Sequence, residues 1–295
     1  MKTSHIILGL LMVLMWGSNF PIMKLGIENM PPLLFSALRS ILVLPLLFFV
    51  PRPKCWKTIF LMGLLIGTLK LPLMLFGIHL GLSAGLASLL SQTHVFFTIL
   101  LAMFWLNEWP NKQNWISIII ASAGICLIIS QVEGTVSTFY GLGVILLSAF
   151  FWSISNIATR KTSHLNIIHL TLWMNIIPPL PLLGLSWYLY GGAPLIESLT
   201  DLSVRTIFSV LYATFLSGVA GYCIWGFLLR TYPTSTVIHF SLLTPVSAML
   251  FGFLLLNEVP DPLSLIGAGL IFSGLLFNQM NLKRKVLSAE KIIEE

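Results

Sequence analysis

The sequence predicts an all-α integral membrane protein with ten transmembrane helices, arranged as two five-helix repeats of inverted topology. Three observations support this prediction. The chain is too apolar for a soluble surface, it divides into ten hydrophobic segments of membrane-spanning length, and short polar motifs recur in its two halves. Together they predict that the chain is embedded in a lipid bilayer and that it contains a duplicated unit.

The composition determines the class of protein. Hydrophobic residues form 57% of the 295 residues and charged residues only 9%, with a mean hydropathy of +0.94. A soluble domain carries roughly 25% charged residues, so lipid is the solvent that suits this chain. The net charge of +6 is attributed to the cytoplasmic bias of Lys and Arg rather than to a nucleic-acid partner. The three cysteines lack ligand spacing, and neither a metal nor a cofactor is expected.

Ten hydrophobic segments follow one another along the chain, separated by Pro- and Gly-containing turns such as Met30-Pro31-Pro32. The first has no small-residue cleavage site before Lys24, so we expect it to stay as a membrane span rather than be removed as a signal peptide. The short connections leave no room for a soluble catalytic domain. The segments are predicted at residues 5–26, 32–50, 58–80, 83–106, 113–130, 139–161, 167–189, 205–229, 234–256 and 261–281.

The loop charges predict the orientation. If the N-terminus is cytoplasmic, twelve Lys and Arg residues lie on the inner side, and only Lys24 and Arg205 lie on the outer side. The positive-inside rule then predicts that both termini are cytoplasmic. The protein is predicted to be a multi-pass protein of the inner membrane. Arg39 and Lys70 fall inside predicted spans.

An internal repeat links the two halves. Leu-Asn-Glu-x-Pro at residues 106–110 recurs at 256–260, and Gly124 corresponds to Gly274 at the same offset of 150 positions. Ser-Asn followed by Lys occurs at residues 18–24 and again at 155–161, each time just after a tryptophan. Because five spans separate the copies, they enter the membrane from opposite sides, which is the architecture used for alternating access. The repeats are predicted at 1–133 and 139–282, with a cytoplasmic tail at 283–295.

These landmarks resemble the drug/metabolite transporter superfamily, in its EamA branch, over essentially the whole chain. The resemblance rests on Trp16-Gly17-Ser18-Asn19 before Lys24, on Pro32 seven residues before Arg39, and on the Asn-Glu pairs at 107–108 and 257–258. Residues 30–32 and 85–89 are most like bacterial exporters of cysteine-pathway and amino-acid metabolites. The resemblance implies ten helices around a central cavity and efflux of amino acids or related metabolites. The second half departs from it by one extra residue between Trp152 and Asn156.

Lys70 is the first candidate for substrate binding, because it lies near the middle of the third span. Snorkelling to the surface would have to cover about half of a 30 Å hydrocarbon core, and ionisable groups at this depth mark functional sites. All ten acidic residues fall at helix ends, in loops or in the tail, so the expected partner of Lys70 is a carboxylate on a small zwitterionic or anionic substrate. The structural alternative is a lysine bonded to carbonyls that Pro72 frees.

His94 and Ser91 share a face of the fourth span and are further candidates for substrate binding. If transport is coupled to protons, the candidate groups are His79, His94, His239 and Lys70. A lone histidine is equally consistent with simple packing.

Aromatic and amide side chains complete the predicted site. Tryptophans near mid-span are not interfacial belt residues and can bind an ammonium group through cation–π attraction, while asparagines can bind substrate or join helices. Core packing is the alternative for each of them. The residues are Trp16, Asn19, Trp152, Asn156, Tyr222 and Trp225.

Four further residues are predicted to act in gating or structure rather than in binding. Arg39 lies about a third of the way into its span. Pro72 and Pro245 interrupt helix hydrogen bonding, and Gly221 allows close approach or bending.

The sequence therefore predicts a secondary transporter that exports amino acids or related metabolites by alternating access. A uniporter or importer of another small metabolite is the alternative within the same class. An integral membrane enzyme is disfavoured because the spans lack acids and no HExxH or DxxxD spacing occurs. The substrate, the coupling ion and the oligomeric state stay open.

Overall fold

A computed structural model describes residues 1–105, 107, 109–130, 136–161, 166–232, 240–241, 243–259, 262–263 and 265–277. Regular structure in these residues is entirely helical. Seven helices are long and apolar enough to cross a membrane, and three shorter helices are also apolar. The prediction of an all-α membrane protein is confirmed. The tail at 283–295, together with Glu108 and His239, lies outside the described residues.

The described helices follow the predicted segments closely, and the seven long ones agree with them to within four residues at each end. The count of ten spans stays a prediction, because parts of predicted segments nine and ten are not described. In chain order the helices are α1 (Thr3–Gly26), α2 (Pro32–Phe49), α3 (Trp56–His79), α4 (Ala84–Trp105), α5 (Lys112–Ser130), α6 (Val136–Lys161), α7 (Ile168–Tyr190), the short α8 (Gly192–Thr200), α9 (Val204–Trp225), α10 (Thr244–Leu256) and α11 (Leu265–Phe277).

The helices place apolar side chains outward and small residues inward. Phe48, Leu180 and Val204 are more than four-fifths exposed, as expected for side chains that face lipid. Most of the buried polar residues are serines, and several of these donate to a carbonyl one turn back in their own helix, such as Ser36 to Pro32 at 2.9 Å. Small residues let helix backbones approach closely, and close packing is what holds helices together in a bilayer.

Glycines mark the closest helix crossings. A Cβ at Gly17 would overlap Ser247, which brings α1 directly against α10. A Cβ at Gly77 would overlap Ile145, where α3 crosses α6. In each of these pairs one helix comes from the first half of the chain and the other from the second half, so the two halves interlock rather than lie side by side.

The asparagine of the repeated Leu-Asn-Glu-x-Pro motif is left-handed in both copies. Asn107 and Asn257 are the only non-glycine residues of the described chain with positive φ, at 53° and 54°. Asparagine tolerates this conformation better than other L-residues. Asn257 ends α10, and its N–H donates to Phe253 while the N–H of Glu258 donates to Gly252. The asparagine therefore stops the helix and directs Glu258 back toward the bundle.

Two π-helical segments interrupt α3 and α9. They comprise Gly63–Lys70 and Tyr212–Ala220, and the second ends 150 positions after the first, the same offset as the repeated motif. The N–H of Leu71 donates to Ile66, and the N–H of Gly221 donates to Leu216, each five residues back. Hydropathy does not reveal such segments, which are rare and frequently lie at functional sites.

The crossing of α5 and α11 tests the role of the glycines. A Cβ at Gly267 would lie 2.7 Å from Ile128 Cγ1 and 2.8 Å from the Gly124 carbonyl oxygen. A Cβ at Gly269, in the same helix, meets nothing within 4 Å. We expect Gly267→Ala to lower stability by about 1–3 kcal/mol through overpacking, and Gly269→Ala to leave it unchanged or higher. Thermal unfolding in detergent measures both, and equal midpoints would contradict this packing.

Candidate functional site

Lys70, Trp152 and His94 form a cluster where α3, α6 and α4 meet. The Lys70 Nζ lies 4.3 Å from the centroid of the Trp152 ring. The His94 ring stacks on the same indole, with centroids 3.9 Å apart and an interplanar angle of 39°. The sequence predicted all three residues as site residues, and the structure brings them into direct contact. We call them the lysine cluster.

The backbone at Lys70 is held while its ammonium group is free. Ser148 donates from its hydroxyl to the Lys70 carbonyl at 2.6 Å, which ties the end of the π-helical segment to α6. Within the described residues, the Lys70 Nζ makes neither a hydrogen bond nor an ion pair. A hydrogen bond to a carbonyl freed by Pro72, the structural alternative, is not seen there. The three N–H donors of this ammonium are thus available to a ligand.

A break in α4 presents His94 to the cluster. The helix stops at Ser91 and resumes at His94, with a turn at Gln92 and Thr93. Gln92 Nε2 donates to the Ser241 carbonyl at 2.8 Å, so the turn is held from the second half of the chain. The Ser91 hydroxyl donates to the Ala87 carbonyl at 2.7 Å and is buried. Ser91 is therefore near the cluster in sequence, but its hydroxyl is used within its own helix.

Asn156 joins α6 to α4 beside the lysine cluster. Its Nδ2 donates to Thr98 Oγ1 at 3.3 Å, and that hydroxyl donates to the His94 carbonyl at 2.6 Å. This bridge orients the resumed part of α4 against the helix that carries Trp152. Asn156 thus acts here as a connection between helices.

A second cluster, the aromatic cluster, contains Trp16, Tyr222 and Trp225. The Trp16 ring lies 5.4 Å from Tyr222 and 5.6 Å from Trp225 between centroids. Trp16 Nε1 donates to the Ser217 carbonyl at 3.1 Å, inside the second π-helical segment. A Cβ at Gly221 would overlap the Trp16 indole, so glycine is needed there for close approach rather than for bending.

Arg39 interacts with a residue of each cluster. Its Nε donates to the Ala213 carbonyl at 2.8 Å, which attaches α2 to the π-helical segment of α9. Arg39 is also close enough to Lys70 and to Tyr222 to interact with both electrostatically. Arg39 is therefore linked electrostatically to one residue of each cluster.

The remaining predicted site residues are Asn19, Pro72 and Pro245. Asn19 is buried, its Nδ2 lies 3.4 Å from Met23 Sδ, and its Oδ1 has no hydrogen-bond partner among the described residues. Pro72 is the second residue after the first π-helical segment, inside α3. Pro245 stands in the first turn of α10, where a missing N–H costs nothing.

Sequence reasoning did not identify the ion pair between Lys24 and Glu258, whose Nζ and Oε1 atoms are 2.6 Å apart. The other oxygen of Glu258 accepts the N–H of Ala84 at 2.8 Å, and Lys24 also donates to the Leu82 carbonyl at 3.3 Å. These bonds join the end of α1, the start of α4 and the end of α10. Lys24 is predicted on the outer side, and with a cytoplasmic N-terminus the ninth predicted span also ends there, just before Glu258. This shared side was the available signal for their pairing.

Comparison with known proteins identifies the family. The model of the EamA-like transporter family matches residues 3–130 and again residues 139–280. The chain belongs to the EamA-like transporter family. It is a multi-pass membrane transporter, and the resemblance that its motifs indicated is confirmed.

Relatives of this EamA-family protein carry names that concern efflux. Two are called "probable amino-acid metabolite efflux pump". The protein from Escherichia coli is 37% identical over 94% of this chain and 95% of its own, and the one from Salmonella typhimurium is 37% identical over 92% and 93%. A Streptantibioticus cattleyicolor protein, "probable terminal-alkyne amino-acid exporter", is 26% identical over 97% of each chain. A solved crystal structure matches 96% of this chain and 99% of its own, with a TM-score of 0.62 and 15% identity, which shows the fold alone.

The role of Lys70 can be tested by its effect on the stability of the protein. A buried cation without a protein partner costs desolvation free energy, whereas a lysine that holds helix carbonyls adds stability. We expect Lys70→Met to raise the free energy of unfolding by about 1 kcal/mol or more, measured by thermal unfolding without substrate. Lys57→Met, at an exposed cation near the start of the same helix, is the control and should change little. A marked loss of stability in Lys70→Met would instead favour the structural role.

Proposed function

We propose that this protein exports amino acids or closely related small metabolites across the inner membrane by alternating access. The observation that carries the proposal is the Lys70 ammonium. It stands against Trp152, makes no hydrogen bond or ion pair within the described residues, and belongs to a chain whose acids all fall at helix ends, in loops or in the tail. A substrate carboxylate supplies the missing partner. The names of the bacterial relatives, which concern amino-acid metabolites and efflux, support the same substrate class.

Each end of a zwitterion has a suitable place in the site. The carboxylate binds Lys70 in a charge-assisted hydrogen bond. The ammonium group binds the aromatic cluster, where the negative faces of Trp16, Tyr222 and Trp225 attract a cation without adding an acid to the site. Cation–π attraction in a desolvated place is worth about 2 kcal/mol, which is sufficient to orient the substrate between the two clusters.

The paired features of the chain support an inverted repeat. Each half contains one π-helical segment, one left-handed asparagine and one family match. We place Trp16 and Trp152 in equivalent positions, each packed against the π-helical segment of the opposite half. A shared site between interlocked halves can then open to one side at a time.

In this proposal the bonds around Lys24 and Glu258 close the outer end of the bundle. With both termini in the cytoplasm, the ends of α1 and α10 and the start of α4 face outward, and Glu258 bridges them. Opening toward the outside then requires Glu258 to release Lys24 and Ala84. We call this group the outer lock.

Transport by purified protein in liposomes tests the function. We expect counter-flow uptake of labelled amino acids by the wild type, and a loss of at least about tenfold in Lys70→Gln, because a charge-assisted hydrogen bond contributes about 1.5–3 kcal/mol. Arg205→Gln removes an exposed cation outside the site and serves as the control. Absence of amino-acid transport in the wild type would refute the proposed function, and unchanged transport in Lys70→Gln would remove Lys70 from the site.

Hydrogen exchange tests the outer lock. Glu258→Ala removes the acceptor of the Ala84 N–H, so we expect exchange in the peptide that contains residue 84 to accelerate by about tenfold or more, as loss of a charge-assisted bond implies. Glu28→Ala neutralises an exposed acid at the same end of the bundle and is the matched control. The lock is refuted if the two variants exchange alike.

A further inference from the structure

Arg39 uses only part of its hydrogen-bonding capacity within the protein. Its Nε donates to the Ala213 carbonyl, and its own carbonyl accepts from Thr214 Oγ1 at 3.4 Å. Within the described residues, neither terminal amino group of the guanidinium makes a hydrogen bond or an ion pair. The side chain is therefore held by one N–H, while the two amino groups that normally bind a carboxylate stay available.

The surroundings of Arg39 leave space for its guanidinium. A Cβ at Gly218 would lie 3.1 Å from Arg39 Nη2, so a larger residue there would press on the amino group. The π-helical segment supplies both this glycine and the carbonyl that holds Nε. The same distortion of α9 thus fixes the Arg39 side chain and gives it room.

The site carries two cations and no anion. Arg39 and Lys70 are electrostatic neighbours, and each is half-buried. Every acidic residue of the chain lies at a helix end, in a loop or in the tail. The ion pair seen in the described part of the chain, between Lys24 and Glu258, lies at the end of the bundle. Two half-buried cations at membrane depth without a counter-charge are unfavourable, and an anionic ligand relieves the cost.

We propose that Arg39 is a second anion-binding group and that the site prefers amino acids with a second anionic group, as in a dicarboxylic amino acid. This inference rests on the proposed function and deepens it. A neutral zwitterion leaves both positive charges of the site in excess, whereas an amino acid with a net negative charge removes one of them. The planar fork of arginine suits a second carboxylate better than a lysine does.

The arrangement gives each group of the substrate one partner. Lys70 binds the α-carboxylate, the aromatic cluster binds the ammonium group, and the Arg39 amino groups bind the side-chain carboxylate. Aspartate and asparagine differ almost only in this last group, as do glutamate and glutamine. Each pair therefore isolates the contribution of Arg39.

The decisive experiment compares aspartate with asparagine in proteoliposomes. For the wild type we expect a KM for counter-flow at least about tenfold lower for aspartate, as a charge-assisted hydrogen bond implies. Arg39→Gln should reduce this ratio to about one while asparagine transport continues, and Arg39→Lys should give an intermediate ratio. Arg205→Gln should keep the wild-type ratio.

Each contrary result has a defined meaning. Equal KM values for asparagine and aspartate in the wild type overturn this inference and leave the proposed function intact. Transport of no amino acid by the wild type refutes the proposed function itself. An equal loss for both substrates in Arg39→Gln assigns Arg39 a structural role only. If Arg39→Gln does not fold, Arg39→Lys decides, since an unchanged ratio in that variant overturns the inference.

Discussion

A cation at membrane depth must have its charge matched, and this constraint organises the centre of the protein. Lys70 and Arg39 interact electrostatically, while every acid of the chain falls at a helix end, in a loop or in the tail. The protein stabilises these cations with weaker partners, namely the indole face of Trp152 and one backbone carbonyl of α9. Both partners depend on the π-helical segments, one of which ends at Lys70 while the other supplies the carbonyl of Ala213. The incomplete match is the property that makes the region suitable for an anionic ligand.

Much of this arrangement could be predicted from residue type and spacing. Hydropathy located the long helices, because a lipid-facing helix must be apolar over its whole length. Lys70 was predicted as a site residue because a charge at membrane depth is energetically costly. Trp152 and His94 were predicted because polar and aromatic groups near mid-span are unusual. The repeated asparagines were visible as a motif, although their left-handed conformation, which explains the choice of asparagine, was not.

The remainder depends on contacts between distant parts of the chain. The stacking of His94 on Trp152 requires the break in α4, and no local signal marks which way the histidine then points. Arg39 was predicted to be structural, and its Nε does hold α9, but the free amino groups beside it follow only from packing. Ser91 shows the converse, since helical spacing placed it on the face of His94 while its hydroxyl binds within its own helix. Helical periodicity predicts which residues share a face of a regular α-helix. A π-helical segment changes that period, so it changes the face on which the following residues lie.

The asymmetry between the π-helical segments affects how the protein responds to the membrane potential. The first ends in Lys70, whereas the residue 150 positions later is Ala220, so only one half carries a cation at this point. Electrical work amounts to about 2.3 kcal/mol for each elementary charge moved across 100 mV. In the proposed alternating-access cycle, an empty carrier whose positive charge lies off the proposed pseudo-symmetry axis changes its energy in the field as it reorients. In that cycle the resting potential biases which side the vacant site faces before any substrate arrives.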